Sequence, residues 1–325
     1  MAWLHGIESL AKADPRPATV DASFRRYFRV KSDISSYIVM DAPPEQEDCK
    51  PFVRVAGYLE AMSLNAPQIL EMNLDDGFLL LSDLGTTQYL QELQNDPRSS
   101  DALYADALRA LSKMHTEGAA FQSLLPPYDD TLLRFELSLF HDWLCEKHLG
   151  IDFSDEDEAS WRATCDMLVA NALDQPQVFV HRDYHSRNLM VTSENNPGIL
   201  DFQDAVEGPL TYDLVSLLKD CYVRWPEEQV SEWARDFYAA SDSSIQDQLD
   251  VDQFMRYFEL MGVQRHLKAA GIFARLNHRD GKAAYMGDVP RTLGYIVELG
   301  ARYEALGFLA QLISERCLPT LQENS

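Results

Sequence analysis

The chain has 325 residues, 46% hydrophobic and 25% charged, enough for about two ordinary domains with a sizeable core and too apolar for disorder. Its 28 Lys and Arg against 52 Asp and Glu leave a formal charge of −24, a field that repels nucleic-acid backbones and anionic membrane surfaces. No apolar run approaches the ~20 residues of a spanning helix, and the start MAWLHGIESLAKADPRP lacks the basic and apolar regions of a secretory signal, so a cytoplasmic setting is expected.

The first part of the chain predicts strands. Residues 26–30 (RYFRV) and 37–40 (YIVM) are β-branched and aromatic runs around a polar break at 31–33, the pattern of a hairpin. Residues 45–62 place Phe52, Val55, Ala56 and Leu59 at helical spacing. A second hairpin is predicted from 68–74 and 78–84 around Asp75-Asp76-Gly77, where glycine offers a positive φ. From residue 86 the periodicity becomes helical, through 103–114, 131–148 and 161–173. The acidic run 152–158 reads as a solvated helix N-terminus, favoured by the helix dipole. Short buried strands are expected at 178–180 and 198–200, then helices from Tyr212 onward. Five widely spaced cysteines without a C-x-x-C pair fit reduced thiols.

One segment carries chemistry. Residues 181–188 read HRDYHSRN, matching the catalytic-loop pattern H-R-D-x-x-x-x-N of phosphoryl-transfer enzymes. A short apolar run enters this loop, another leaves it, and the strand at 199–200 delivers Asp201. Phosphoryl transfer needs such parts: Asp183 to orient a hydroxyl and accept its proton, and Asn188 with Asp201 as oxygen ligands for Mg²⁺ bridging the phosphates of ATP. Two other readings stay open on residue types alone. His181, Asp183 and Asn188 are also turn-capping types, and His181, Asp183, His185, Asp201 and Asp204 are potential ligands of a metallohydrolase.

HRDYHSRNLMV followed by ILDFQDAVEGPLTYDLVSLL resembles the core of the aminoglycoside phosphotransferase and choline kinase superfamily. The resemblance implies an α+β, two-lobed protein-kinase-like fold: a small antiparallel-sheet lobe over residues 1–86 that covers the nucleotide, and a helical lobe over 87–325 with the catalytic loop and acceptor site. The interval from Asp201 to the next helix, near Tyr212, is too short for a phosphorylatable activation segment, and Ala-Pro-Glu is absent, so a small acceptor is expected. Asp213 is expected to be structural. DASFRRYFRV, VMDAPPE and GVQRHLKAAGIFARLNHRDGK are further similar to the bacterial N-acetylmuramate/N-acetylglucosamine kinases of peptidoglycan recycling. That likeness implies ATP-dependent phosphorylation of an anomeric hydroxyl, with an amino sugar and ATP as the only partners and no obligate protein partner. Another small acceptor, an aminoglycoside or a choline-like alcohol, or a nucleotide-binding pseudoenzyme, are the alternatives.

Two family features are missing. No glycine-rich loop joins the first strands, and the turn 21–24 with Ser23 is expected to cover phosphates instead. The strand reading Tyr37-Ile38-Val39-Met40-Asp41 lacks the phosphate lysine, leaving Arg26 and Arg29 as candidate phosphate contacts, with Lys50 a further cation. Residues 78–84 (FLLLSDL) resemble the adenine-binding strand and hinge, placing the base near Ser82, Asp83 and Leu84. Acceptor contacts are expected from Tyr184, His185, Arg187 and Asp204, and from the basic group Arg265, His266 and Lys268, since N-acetylmuramate carries a lactyl carboxylate.

Overall fold

The computed structural model describes residues 2–7, 10, 13–20, 24–32 and 35–323. A short helix α1 (Ala2–His5) precedes strands β1 (Arg16–Val20), β2 (Arg26–Lys31) and β3 (Ser36–Asp41), helix α2 (Cys49–Ala61), and strands β4 (Ile69–Asn73) and β5 (Phe78–Ser82). The strands form one antiparallel sheet ordered β1-β2-β3-β5-β4. Both predicted hairpins and the helix between them are present; β1 was not expected. Its Pro17 is tolerated because β1 is an edge strand, and the register slips between Pro17 and Thr19. Asp48 starts α2 by accepting the Lys50 backbone N–H at 2.9 Å.

The sheet is buried on both faces at β5, where Leu79, Leu80 and Leu81 are all inaccessible. Side chains alternate along a strand, so Leu80 faces one side with Val39 and Val30, covered by Leu4 and Leu10. At the β4–β5 turn Gly77 has φ 75°, and a Cβ there would lie 1.9 Å from the Ala42 carbonyl oxygen. Only glycine fits.

Helices α3 (Tyr89–Asn95), α4 (Ser100–Gly118), α5 (Asp130–Leu139) and α6 (Asp155–Leu173) follow. Helix α5 runs on in π-helical geometry through Phe140–His148. At α6 a capping box between Ser154 and Asp157 and four acidic residues in the first turn realise the helix start expected of the acidic run. Strands β6 (Gln177–Val180), β7 (Leu189–Met190), β8 (Gly198–Ile199) and β9 (Val206–Pro209) pair as β6-β9 and β7-β8. The chain ends in α7 (Tyr212–Leu218), α8 (Glu227–Ala239), α9 (Ser243–Gln246), α10 (Val251–Asp280), α11 (Val289–Gly300), α12 (Gly307–Leu312) and α13 (Leu318–Glu323). The 30-residue α10 is capped by Asp250 and ends at Gly281 in the left-handed region. It passes so close to the end of α5 that a Cβ on Gly271 would meet the Leu139 carbonyl carbon at 2.3 Å.

Two compact units result. One comprises Met1–Ala110 with Arg187–Ala205, the other Leu111–Ser186 with Val206–Ser325. These limits differ from the change of structural type near residue 86, because Tyr89 in α3 and Asp106 in α4 both accept hydrogen bonds from the Asn196 amide at 2.7 Å and belong with the β7–β8 hairpin. Among the described residues no helix is long and apolar enough to cross a membrane, and all five cysteines are buried free thiols.

Candidate active site

The segment from His181 to Ser186 lies in the second unit. Strand β6 buries Val178, Phe179 and Val180 and pairs with β9, so the loop leaves a fixed strand end. Asp213, in the first turn of α7, accepts the backbone N–H of His181 at 2.6 Å and of Arg182 at 3.0 Å. These bonds hold Arg182 at φ 77°, a costly conformation for a residue with a Cβ that the surroundings must enforce. Burial and the nearby Asp183 charge push the Asp213 carboxyl up to about 7, against the two N–H bonds that favour its ionised form. Farther on, Asp220 accepts the backbone N–H of Ser186 at 3.0 Å, its hydroxyl, and the N–H of Tyr222 at 2.9 Å. The loop is thus pinned at both ends.

Asp183 sits between these pins. Burial alone would raise its carboxyl, but Lys268, His185, Arg182 and Arg265 outweigh it and hold the group below the ordinary aspartate value. Two of those cations share one further carboxylate: Glu136, 2% exposed on α5, pairs with Arg182 and with Lys268 Nζ at 3.1 Å. Tyr128 donates its hydroxyl to Glu136 and Lys268 donates to Tyr212 at 2.8 Å. Asp183 and Glu136 balance Arg182 and Lys268, which lets those four buried charges tolerate their desolvation.

In the first unit, Asn188 precedes β7 and Asp201 follows β8. The Leu200 N–H donates to the Asn188 carbonyl at 2.9 Å, and the Asn188 side-chain amide donates to the Asp201 carboxylate at 3.2 Å. Asp201 has φ 64°, and Phe202 packs against Phe52 with ring centroids 4.7 Å apart. Gln203 donates its amide to the other Asp201 oxygen at 2.9 Å, and its own Oε1 is buried with no hydrogen-bond partner. A carboxylate, an amide oxygen and an orphaned buried acceptor make an oxygen-rich donor set that fits a hard divalent cation.

The remaining expected residues divide. Ser23 lies outside the described residues. Arg26 pairs with Asp41 on the sheet. The Arg29 guanidinium forks onto Asp83 at 2.6 and 3.0 Å and also donates to the Gly85 carbonyl at 2.7 Å, so its phosphate role meets a resident carboxylate. Asp83 also accepts from Ser36 at 2.6 Å, which makes it an anchor of the segment after β5. The Ser82 hydroxyl accepts the Gln68 N–H at 2.8 Å, and Leu84 packs against Gly198.

Among acceptor candidates, Tyr184 is fully buried against His181. His185 lies edge-on to Tyr222 at 5.4 Å. Arg187 is half-buried in the first unit, its carbonyl accepting from Gln88 at 2.7 Å, and Asp204 is exposed. His266 stacks on Tyr295 at 4.6 Å and bonds the Lys219 carbonyl at 2.8 Å; burial pushes its imidazole down to about 3, so it is neutral. Sequence reading missed Glu136, Asp220, Tyr222 and Gln203. Glu136 left one signal, an acid within the apolar run LLRFELSLF. Among the described residues, three side chains with ligand atoms mutually within reach of one ion gather only at His141, Asp142 and Glu146, away from the catalytic loop in sequence.

A fold with a small antiparallel sheet, a helical remainder, and an Asp-bearing loop followed by a paired Asn and Asp defines a phosphotransferase. A family profile described as the phosphotransferase enzyme family matches residues 14–252, and the chain belongs to that family. It is 50% identical over 310 residues to the N-acetylmuramate/N-acetylglucosamine kinase of Pseudomonas aeruginosa, covering 95% of this chain and 90% of the relative. It is 41% identical to the protein of the same name from Neisseria meningitidis serogroup B, over 96% of this chain and 93% of that one. Similar solved structures are a Plasmodium vivax ethanolamine kinase (TM-score 0.64, 12% identity, covering 88% and 83% of the two chains) and the ADP-bound aminoglycoside phosphotransferase APH(2'')-Ib (TM-score 0.59, 16% identity, 95% and 97%). The α+β kinase-like fold is therefore the one expected from the resemblance.

Proposed function

We propose that this chain is an ATP-dependent kinase that phosphorylates the anomeric hydroxyl of N-acetylmuramate and/or N-acetylglucosamine, a step of peptidoglycan recycling. The observation that carries the acceptor is the 50% identity across 95% of the chain to a relative of that name. Asp183 accepts the proton of the sugar hydroxyl as its oxygen attacks the γ-phosphorus and ADP leaves; the carboxylate is available because surrounding cations keep it ionised. Asp213 and Asp220 hold the loop so that Asp183 need not reorganise. Asn188 and Asp201 would hold Mg²⁺, with Gln203 orienting the Asp201 carboxylate. When bound, that ion supplies positive charge to the phosphates, which a chain of net charge −24 otherwise repels. A cytoplasmic setting fits five free thiols.

The test is ADP release with ATP and Mg²⁺ against a panel of N-acetylmuramate, N-acetylglucosamine, kanamycin and choline, with ³¹P NMR of the product. A glycosyl phosphate from either amino sugar supports the reading. Turnover on kanamycin or choline alone reassigns the acceptor. Nucleotide binding without any ADP release identifies a pseudoenzyme, the reading favoured by Arg29 being occupied by Asp83.

A further inference from the structure

Among the basic side chains that expectation grouped on α10, one is left without an ion pair or an oxygen acceptor. Lys268 is bound to Glu136 and Tyr212, and His266 is a neutral ring between Tyr295 and a backbone carbonyl. Arg265, 5% exposed, forms no ion pair among the described residues. Its Nη1 meets the Cys221 thiol at 3.4 Å, and its Nε has no hydrogen-bond partner. A buried guanidinium served by a thiol alone is far from satisfied, since it carries five N–H donors and thiol sulfur is a weak acceptor. The flanking Asp220 favours its charge through space but takes no hydrogen bond from it, because that carboxylate serves Ser186 and Tyr222.

Its location gives the vacancy a direction. Cys221 lies between Asp220, which grips the catalytic loop, and Tyr222, whose ring lies edge-on to His185 two residues after Asp183. The Arg265 charge also reaches Asp183 and helps hold its carboxyl down. The unused Nε edge of a guanidinium, with its neighbouring Nη, offers two parallel N–H groups, the geometry that takes a carboxylate bidentately.

We infer that Arg265 is the acceptor-binding residue that reads an anionic substituent, binding the carboxylate of the acid-bearing amino sugar beside the loop that carries Asp183. This rests on the proposed amino-sugar kinase reading. It makes Arg265 a specificity residue: an acceptor without the carboxylate reacts but leaves the guanidinium on the Cys221 thiol.

The wild-type protein tests it first. With N-acetylmuramate methyl ester in place of the free acid, kcat/KM is expected to fall about 10- to 100-fold, the worth of one charged hydrogen-bonded contact. Unchanged kcat/KM for the ester overturns the assignment. Arg265→Met, checked for folding by its melting temperature, is expected to lower kcat/KM on both sugars through Asp183 and to lower it about 10- to 100-fold more on N-acetylmuramate than on N-acetylglucosamine, with Arg265→Lys recovering part of that difference. Equal losses on both sugars overturn it, assigning Arg265 to the electrostatics of Asp183. Wild-type protein that phosphorylates neither sugar overturns the amino-sugar reading, and this inference with it; turnover of both with an unmoved ratio overturns this inference alone.

Discussion

Asp220 holds Ser186 twice, accepting its backbone N–H and its hydroxyl on one carboxylate oxygen. Both residues are buried, so these bonds are made away from water and fix the far end of the catalytic loop. Asp220→Asn keeps the shape but turns one acceptor oxygen into a donor. Turnover is expected to fall about tenfold or more while the nucleotide dissociation constant moves less than about threefold. Parallel kinetics and calorimetry check it, and a loss confined to nucleotide affinity contradicts the positioning role.

Asp183→Asn removes the proposed proton acceptor and retains the volume. ADP release in the presence of acceptor is expected to drop by about 10²–10⁴-fold, the usual worth of a general base, with ATP binding preserved. Residual turnover within a factor of about three of wild type rejects Asp183 as the base.

The Asp201 carboxylate is oriented by the Asn188 and Gln203 amides. Gln203→Leu is expected to raise the half-saturating Mg²⁺ concentration about tenfold, as loss of an orienting partner does at metal sites. Asp201→Ala should abolish turnover, and EDTA should silence the wild-type protein reversibly. A magnesium titration that superimposes on wild type excludes this role for Gln203.

Gly271→Ala tests the close crossing of α10 over the end of α5. The new methyl meets backbone atoms of Leu139 and Phe140 rather than a flexible side chain. Destabilisation of about 1–3 kcal/mol is expected, lowering Tm by several degrees in a chain of this size. An unchanged calorimetric Tm means that the helices separate without cost.

His115 is buried, its ring edge-on to Phe237, and burial pushes its pKa down to about 3. The folded state therefore prefers the neutral ring. Its contribution is complete above the unfolded pKa of about 6.5 and is lost as pH falls from there toward about 3. Asp213, raised to about 7, has the opposite sign and gains on acidification down to its unfolded value near 3.8. Comparing wild type with His115→Phe isolates the imidazole: between pH 6.5 and 4.5 the wild type should lose on the order of 2 kcal/mol more in urea unfolding. Parallel stability profiles refute it.

Local chemistry was legible in the residues because it is written in short, contiguous patterns. The alternation of 26–30 and 37–40, the turn at Gly77, and the run HRDYHSRN need no distant partner to be read. Strand β1 escaped because a proline at position 17 argues against a strand until its edge position is known. Arg29 was read as a phosphate contact because Asp83, 54 residues away, could not be seen to claim it.

What the sequence by itself determined was the family, the class of reaction and an α+β kinase-like fold, and it proposed Asp183 as the base and Asn188 and Asp201 as oxygen ligands, since a catalytic loop spans only a few adjacent residues. Which charges are satisfied was decided by tertiary structure. Arg265, His266 and Lys268 are near-neighbours on one helix, equivalent as a basic patch. Folding gives Lys268 the Glu136 carboxylate, drives His266 neutral between a ring and a carbonyl, and leaves Arg265 with a thiol. Burial multiplies the energetic difference between a paired and an unpaired charge, and burial is set by helices far apart in the chain.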